Sequence, residues 1–223
     1  MRVEYRVLGP LEVLLDGAPV GVPAGRCRVL LATLLLRANE FVPLHEIVER
    51  MRDGSPPSAG RAALHMVVTR LRQALGAANC VHTGAGGYAA VVEPGQLDLL
   101  RFRELVRAGD FASATGLWLG PALANVSSEA LHRDAVPDLV EEHLTALERR
   151  IDADLAQGVA AELVPELRTL STQHPLREVF WAQLMLALHR SGQQADALAA
   201  FREVVAVLDE QLGVTPGPRL REA

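Results

Sequence analysis

Apolar positions recur with a period of two near the start of the chain and with a period near 3.6 over most of the remainder. Between residues 4 and 22 the runs Glu4-Tyr5-Arg6-Val7-Leu8 and Leu11-Glu12-Val13-Leu14-Leu15 are separated by Gly9-Pro10, and Asp16-Gly17 precedes Val20 and Val22. An Asp-Gly pair between apolar runs is a hairpin signal, because both residues tolerate the positive φ of a tight turn. This segment therefore predicts short strands. Helical spacing follows over Gly25 to Arg37, Leu44 to Arg52 and Ser58 to Leu75, interrupted at Asn39 and Pro43 and again by Asp53-Gly54-Ser55-Pro56-Pro57. These are breakers by backbone chemistry. Cys80-Val81-His82-Thr83 and Tyr88-Ala89-Ala90-Val91-Val92 then flank Gly84-Ala85-Gly86-Gly87, a second hairpin. A small sheet, three helices and a terminal hairpin is the order of a winged helix-turn-helix.

Glu93-Pro94-Gly95 interrupts both strand and helix and marks the expected boundary between domains 1–95 and 96–223. Beyond it the pattern is helical throughout: Asp98 to Ala108, Phe111 to Trp118, Pro137 to Gln157, Val159 to Gln173, Leu176 to Arg190 and Gln193 to Leu212. Pro137 and Pro175 stand where first-turn prolines are tolerated, and Gly158, Gly192 and Gly213 where helices stop. Trp181-x-x-Leu184 followed by Ala197-x-x-x-Phe201 matches part of the tetratricopeptide pattern, although Met185 and Leu188 depart from it. An ordinary antiparallel helix pair suits the same residues. The fold class predicted is mainly α with a small β component, a winged helix-turn-helix followed by an all-α, tetratricopeptide-like domain.

The third helix holds the candidate chemistry. At about 100° per residue, Leu64, Val68, Leu71 and Leu75 form a narrow apolar stripe. Arg61, His65, Thr69 and Arg72 fall on the adjoining arc, with Ala62, Met66 and Gln73 further round and Arg70 on the other flank. A major groove accepts a helix of this width, and arginine can donate twice to guanine. A solvated helix surface would accommodate the same residues. What favours the groove is order, since a donor-bearing helix between two shorter helices and a Gly-rich hairpin is what a winged helix needs.

Charge sharpens this picture. The chain carries a net charge of -5, which spread evenly would disfavour nucleic acid. Residues 1 to 95 hold ten Arg and eight Asp/Glu, whereas residues 96 to 223 hold twelve Arg and nineteen acids. Only the first part suits an anionic partner. Every basic side chain apart from histidine is Arg, with no Lys, a bias that fits both a GC-rich coding background and bidentate recognition of phosphate and guanine. Aromatic residues make up 4%, and the Leu, Val and Ala that carry the apolar content favour helical packing.

Enzymatic readings find little support. Thr83-Gly84-Ala85-Gly86-Gly87-Tyr88 is followed by neither a Lys-Ser/Thr pair nor a helix, so it fails as a phosphate-binding loop. The seven His are scattered, and Ser127-Ser128 lacks a nucleophile elbow. Cys27 and Cys80 match neither a metal site nor a disulfide framework, and reduced thiols are expected. No metal or cofactor is expected. With no apolar signal core and no run of about 18 apolar residues, no membrane association and a cytosolic location are expected.

Across nearly the whole chain the residues resemble the Streptomyces antibiotic regulatory proteins, whose OmpR-type winged helix is joined to a bacterial transcriptional activation domain. The resemblance rests on Leu8-Gly9-Pro10-Leu11-Glu12-Val13, Arg28-Val29-Leu30-Leu31-Ala32, Val68-Thr69-Arg70-Leu71-Arg72-Gln73-Ala74-Leu75-Gly76 and Gly86-Gly87-Tyr88. It continues through His174-Pro175-Leu176-Arg177-Glu178, Leu184-Met185-Leu186-Ala187-Leu188-His189-Arg190-Ser191-Gly192 and Leu212-Gly213-Val214-Thr215-Pro216-Gly217. The resemblance implies activation of biosynthetic genes, usually of secondary metabolism, by head-to-tail binding of a homodimer to direct repeats in double-stranded DNA and by contact with RNA polymerase holoenzyme. It further implies that Arg61, His65, Thr69, Arg70 and Arg72 are recognition-helix contacts, Thr83 and Tyr88 wing contacts, and Arg26 and Arg28 phosphate contacts. Arg52-Asp53 replaces the usual Trp-Gly, Leu119 stands where Arg is usual between Trp118 and Gly120, and Gly84, Ala85 and Ala89 leave the wing without its cations. Each missing phosphate contact should lower the log-log salt slope by about 0.9. Two competing readings follow: a protein-protein adaptor working through the helical half, and a ligand-responsive regulator with a small molecule between its helices.

Overall fold

A computed structural model of the 223-residue chain describes residues 1–51, 60–84 and 86–222, apart from the side chains of residues 60–62 and 222. Strands β1 (Val3–Arg6), β2 (Glu12–Leu15) and β3 (Ala18–Pro19) form an antiparallel meander in that order. Asp16 and Gly17 have φ of 50° and 83°, the left-handed pair that a two-residue hairpin requires. Val3, Tyr5 and Val13 are buried on one face. The Tyr5 hydroxyl donates to the Ala78 carbonyl at 2.7 Å, and burial pushes its ionisation upward.

Helix α1 (Arg26–Leu36) is buried along nearly its whole length, with Leu30, Leu31, Leu34 and Leu35 fully inaccessible. A helix apolar all round is a core helix, and α2 (Leu44–Arg50) and α3 (Gly60–Leu75) pack against it. Helix α2 ends two residues before its expected end at Arg52, and Ser58-Ala59, the expected start of α3, lies outside the described residues. Strands β4 (Val42–Pro43), β5 (Val81–Gly84) and β6 (Gly87–Ala90) form the second sheet, with β6 between the others. Strand β4 escapes the hydrophobic pattern because it has two residues, one of them a proline that cannot donate to the ladder.

Helices α4 (Asp98–Ala108), α5 (Phe111–Thr115) and α6 (Glu129–Asp134) follow, then α7 (Val136–Ala156). Asp98 ties α4 to the first sheet: its carboxylate accepts the amides of Val7 and Leu8, each at 2.9 Å, as well as Leu99 N–H. Asn125 exchanges two hydrogen bonds with the backbone of Leu11. Ser128 caps α6 through Leu131 N–H and donates to the Arg50 carbonyl, so this serine has a structural role. Helix α5 stops at Thr115 rather than at Trp118, whose ring stacks on His143 with centroids 4.1 Å apart.

Packing divides the chain into compact units Met1–Leu144 and Thr145–Ala223, the division falling inside α7. The expected boundary after Gly95 lies within the first unit, where the bonds of Asp98 and Asn125 join segments on either side of it. In the second unit α8 (Ala160–Gln173) packs on α9 (Glu178–Arg190), which packs on α10 (Gln194–Leu212) and α11 (Pro218–Glu222). Trp181, Leu184 and Ala197 are buried and Phe201 is half-buried, a packing that suits the tetratricopeptide-like spacing and an ordinary antiparallel helix pair alike. Gln183 donates to the Glu148 carbonyl and the Asp152 carboxylate, securing the end of α7 within this unit.

Candidate nucleic-acid interface

The apolar stripe of α3 faces inward, with Leu64, Val68, Leu71 and Leu75 each no more than 2% exposed. That burial fixes the rotation of the helix and so decides which residues remain outside. His65, Met66, Thr69, Arg70 and Gln73 are exposed, and Met66 is 70% exposed. No acidic residue occurs anywhere in α3, so the outer face is uniformly cationic or neutral. The helical projection sets Met66 and Gln73 further round from the main donor arc. They stand beside Thr69 on the open side, and an amide such as Gln73 is suited to the paired donor and acceptor of adenine.

Helix α3 lies against the start of α1, where Cys27 Sγ donates to the Val67 carbonyl at 3.9 Å; burial pushes the Cys27 thiol up, and the Arg70 cation pulls it the other way. Arg26, exposed at the first position of α1, follows Gly25, which provides no side-chain cap. Helix N-terminal amides and an arginine together suit a phosphate. Among the described residues neither Arg26 nor Arg70 forms an ion pair. Thr69 donates its hydroxyl to the His65 carbonyl at 3.0 Å, which turns its methyl group and remaining lone pairs to the surface.

Three of the expected contacts are held differently. Arg28 lies half-buried, donating to the carbonyls of Val22 and Asn125; it braces the first unit instead of standing open beside Arg26. Arg72 donates from Nε and Nη2 to the Val81 carbonyl and from Nη2 to Thr83 Oγ1 at 2.8 Å, so it fastens α3 to β5. Tyr88 is 2% exposed and lies under the Arg72 guanidinium, 5.9 Å from its ring centroid; its hydroxyl is 2.9 Å from His65 Nδ1. The sequence pattern could not foresee these roles, because β6 is the central strand of its sheet and buries Gly87, Tyr88, Ala89 and Ala90 together. The structure thus brings His65, Arg72, Thr83 and Tyr88 into one cluster. The Arg61 side chain, Ala85 and the Arg52-Asp53 departure lie outside the described residues.

The wing is small because its neighbours leave no room. A Cβ on Gly84 would overlap the ring of Phe41, and one on Gly87 would overlap the Val42 carbonyl oxygen, which is backbone. The Gly87→Ala variant should therefore lose about 1–3 kcal/mol of stability, the usual cost of overpacking, read from urea unfolding. Wild-type stability would remove this account of the glycines. His82 and Thr83 on β5 are exposed and form the polar edge of the hairpin. Among the described residues no cluster of His, Cys, Asp or Glu could hold a metal ion, and no helix is long and apolar enough to cross a membrane. Cys27 and Cys80 are free thiols, both buried.

Comparison with known proteins agrees with this architecture. Residues 97–223 match the family described as the bacterial transcriptional activator domain. The chain is 32% identical to the transcriptional regulatory protein EmbR of Mycobacterium tuberculosis over 239 residues, covering 99% of this chain and 62% of that protein. It is 37% identical to the regulatory protein AfsR of Streptomyces coelicolor over 235 residues, 99% of this chain and 24% of AfsR. With the regulatory protein DnrI of Streptomyces peucetius it shares 32% identity over 243 residues, 98% of this chain and 89% of DnrI. The solved structure of Mycobacterium tuberculosis EmbR in complex with a low-affinity phosphopeptide superposes with a TM-score of 0.88 at 32% identity, over 99% of this chain and 63% of that one. The chain thus spans less than two thirds of EmbR and shares its fold of a winged helix followed by a helical domain. Family match, identity over nearly the full chain and common architecture together establish that this chain belongs to the Streptomyces antibiotic regulatory protein family of transcriptional regulators.

Proposed function

We propose that the chain is a sequence-specific DNA-binding activator whose helix α3 enters the major groove. The observation that carries this reading is the asymmetry of α3, an inner face of leucine and valine against an outer face with His65, Thr69, Arg70 and Gln73 and no carboxylate. Arg26 and the amides at the start of α1 supply a phosphate contact that sets register without reading sequence. Homodimers lie head-to-tail on direct repeats near promoters of secondary-metabolite genes, and the acidic helical half contacts RNA polymerase holoenzyme. The relatives named as regulators support this reading.

Mobility-shift titration of the full chain on promoter duplexes carrying tandem repeats tests it. Binding should weaken steeply with salt, and Arg26→Ala should lower the slope of log K against log salt by about 0.9, the value for one lost phosphate contact. An unchanged slope would remove Arg26 from the interface. The adaptor reading is favoured by two observations: β5 and β6 carry no arginine, and Arg72 is engaged within the first unit. Absence of any shift at about 50 mM salt, where phosphate attraction is strong, would decide for the adaptor.

A further inference from the structure

In the cluster beneath the wing, His65 is exposed on the outer face of α3, while its Nδ1 lies 2.9 Å from the Tyr88 hydroxyl. Tyr88 is 2% exposed, so its hydroxyl hydrogen needs an acceptor inside the protein. Among the described residues His65 Nδ1 is its partner, and it accepts when the ring proton sits on Nε2. Were Nδ1 to carry the proton instead, the phenolic hydrogen would be left buried and unsatisfied, a loss larger than the worth of the hydrogen bond itself. The neutral imidazole then has its proton on Nε2.

The phenol is held in place from three directions. Tyr88 pairs with Val42 on one side and Thr83 on the other in the β4-β6-β5 sheet. Gly87, next in the strand, sits so close to Val42 that any side chain would collide. Above the ring lies Arg72, itself fixed by Val81 and Thr83. The His65 ring meets the phenol edge-on, with an interplanar angle of 74°.

We infer that Tyr88 is a positioning residue that holds His65 as its Nε2–H tautomer, so that α3 presents a fixed hydrogen-bond donor to a base in the major groove. This inference rests on the DNA-binding reading given above. A donor at that place donates to purine N7, guanine O6 or thymine O4. It disfavours cytosine, which offers the groove an amino donor. In this way a side chain without contact to DNA takes part in specificity.

The test joins spectra of the full chain to a binding selection. Long-range nitrogen-15 spectra should show His65 as a single Nε2–H tautomer, its signals identified by their loss in His65→Gln, and Tyr88→Phe should give a tautomer mixture with an unchanged melting temperature. In selection from a random duplex library, the wild-type chain should deplete cytosine at one position. That depletion should relax about two- to tenfold in Tyr88→Phe, the range for one neutral hydrogen bond, with the other positions retained. An Nδ1–H tautomer in the wild-type chain overturns the inference even if Tyr88→Phe does not fold. A Tyr88→Phe variant that selects the wild-type sequences overturns it alone, whereas a wild-type chain that selects no sequence overturns the DNA-binding reading and this inference with it.

Discussion

The Arg70→Glu variant is expected to lose at least about a hundredfold in affinity for its tandem-repeat duplex while unfolding at the wild-type denaturant concentration. Arg70 is exposed on the helix face that carries no acid. Removing a good arginine contact costs about 1–3 kcal/mol, and placing a carboxylate against the phosphates adds repulsion. The comparison with Arg70→Ala separates these terms: a loss of roughly five- to a hundredfold for alanine corresponds to the contact itself, and the further loss for glutamate is charge. Since Arg70 forms no ion pair among the described residues, stability should be unaltered. Affinity within twofold of wild type for Arg70→Glu would show that this face of α3 does not approach DNA.

The largest effect on stability is expected at Asp98. Its side chain accepts the amides of Val7, Leu8 and Leu99 at a position only 8% exposed. Asp98→Ala leaves three buried donors without a partner, each costing about 1–3 kcal/mol. A total loss of at least about 3 kcal/mol would appear in urea unfolding as a much lower midpoint. A loss below about 1 kcal/mol would mean that these amides find other acceptors.

Asp98 also predicts a dependence on pH. Burial pushes its carboxyl from 3.8 up to about 6, against the opposing pull of the Leu8, Val7 and Leu99 amides and the Arg6 cation. Between those two values the folded chain retains a proton that the unfolded chain has released. The contribution of the neutral acid is therefore full below about pH 4 and is lost as pH rises through 6. Relative to Asp98→Asn, which cannot ionise, wild-type stability should fall across this window by an amount on the order of 3 kcal/mol. A constant difference between the two proteins would refute the assignment.

Much of the fold was legible because periodicity reports burial. The Leu64, Val68, Leu71 and Leu75 stripe, the Asp16-Gly17 hairpin and the helices from α7 to α10 lie within one or two residues of where the pattern sets them. Short elements carry too few periods to be detected. Strand β4 has two residues, α6 has six and α11 has five, and each is held by neighbours: β6 pairs with β4, Ser128 caps α6 and Leu220 of α11 is fully buried. Of the candidate contacts, His65, Thr69 and Arg70 stand exposed on α3, and Arg26, which the resemblance implies, is exposed at the start of α1. Arg28, Arg72 and Tyr88 turn to partners that lie from 6 to 97 residues away in sequence, which no local pattern records.

By itself the order of residues determined the class of fold, the rotation of α3 and the separation of a cationic first part from an acidic second, since these follow from local periodicity and from charge counted along the chain. Tertiary structure alone decided which donors remain available on that helix. A guanidinium or phenol goes to whichever acceptor the folded chain brings within about 3 Å, and only the assembled sheet set Val81, Thr83 and Tyr88 beside Arg72 and His65.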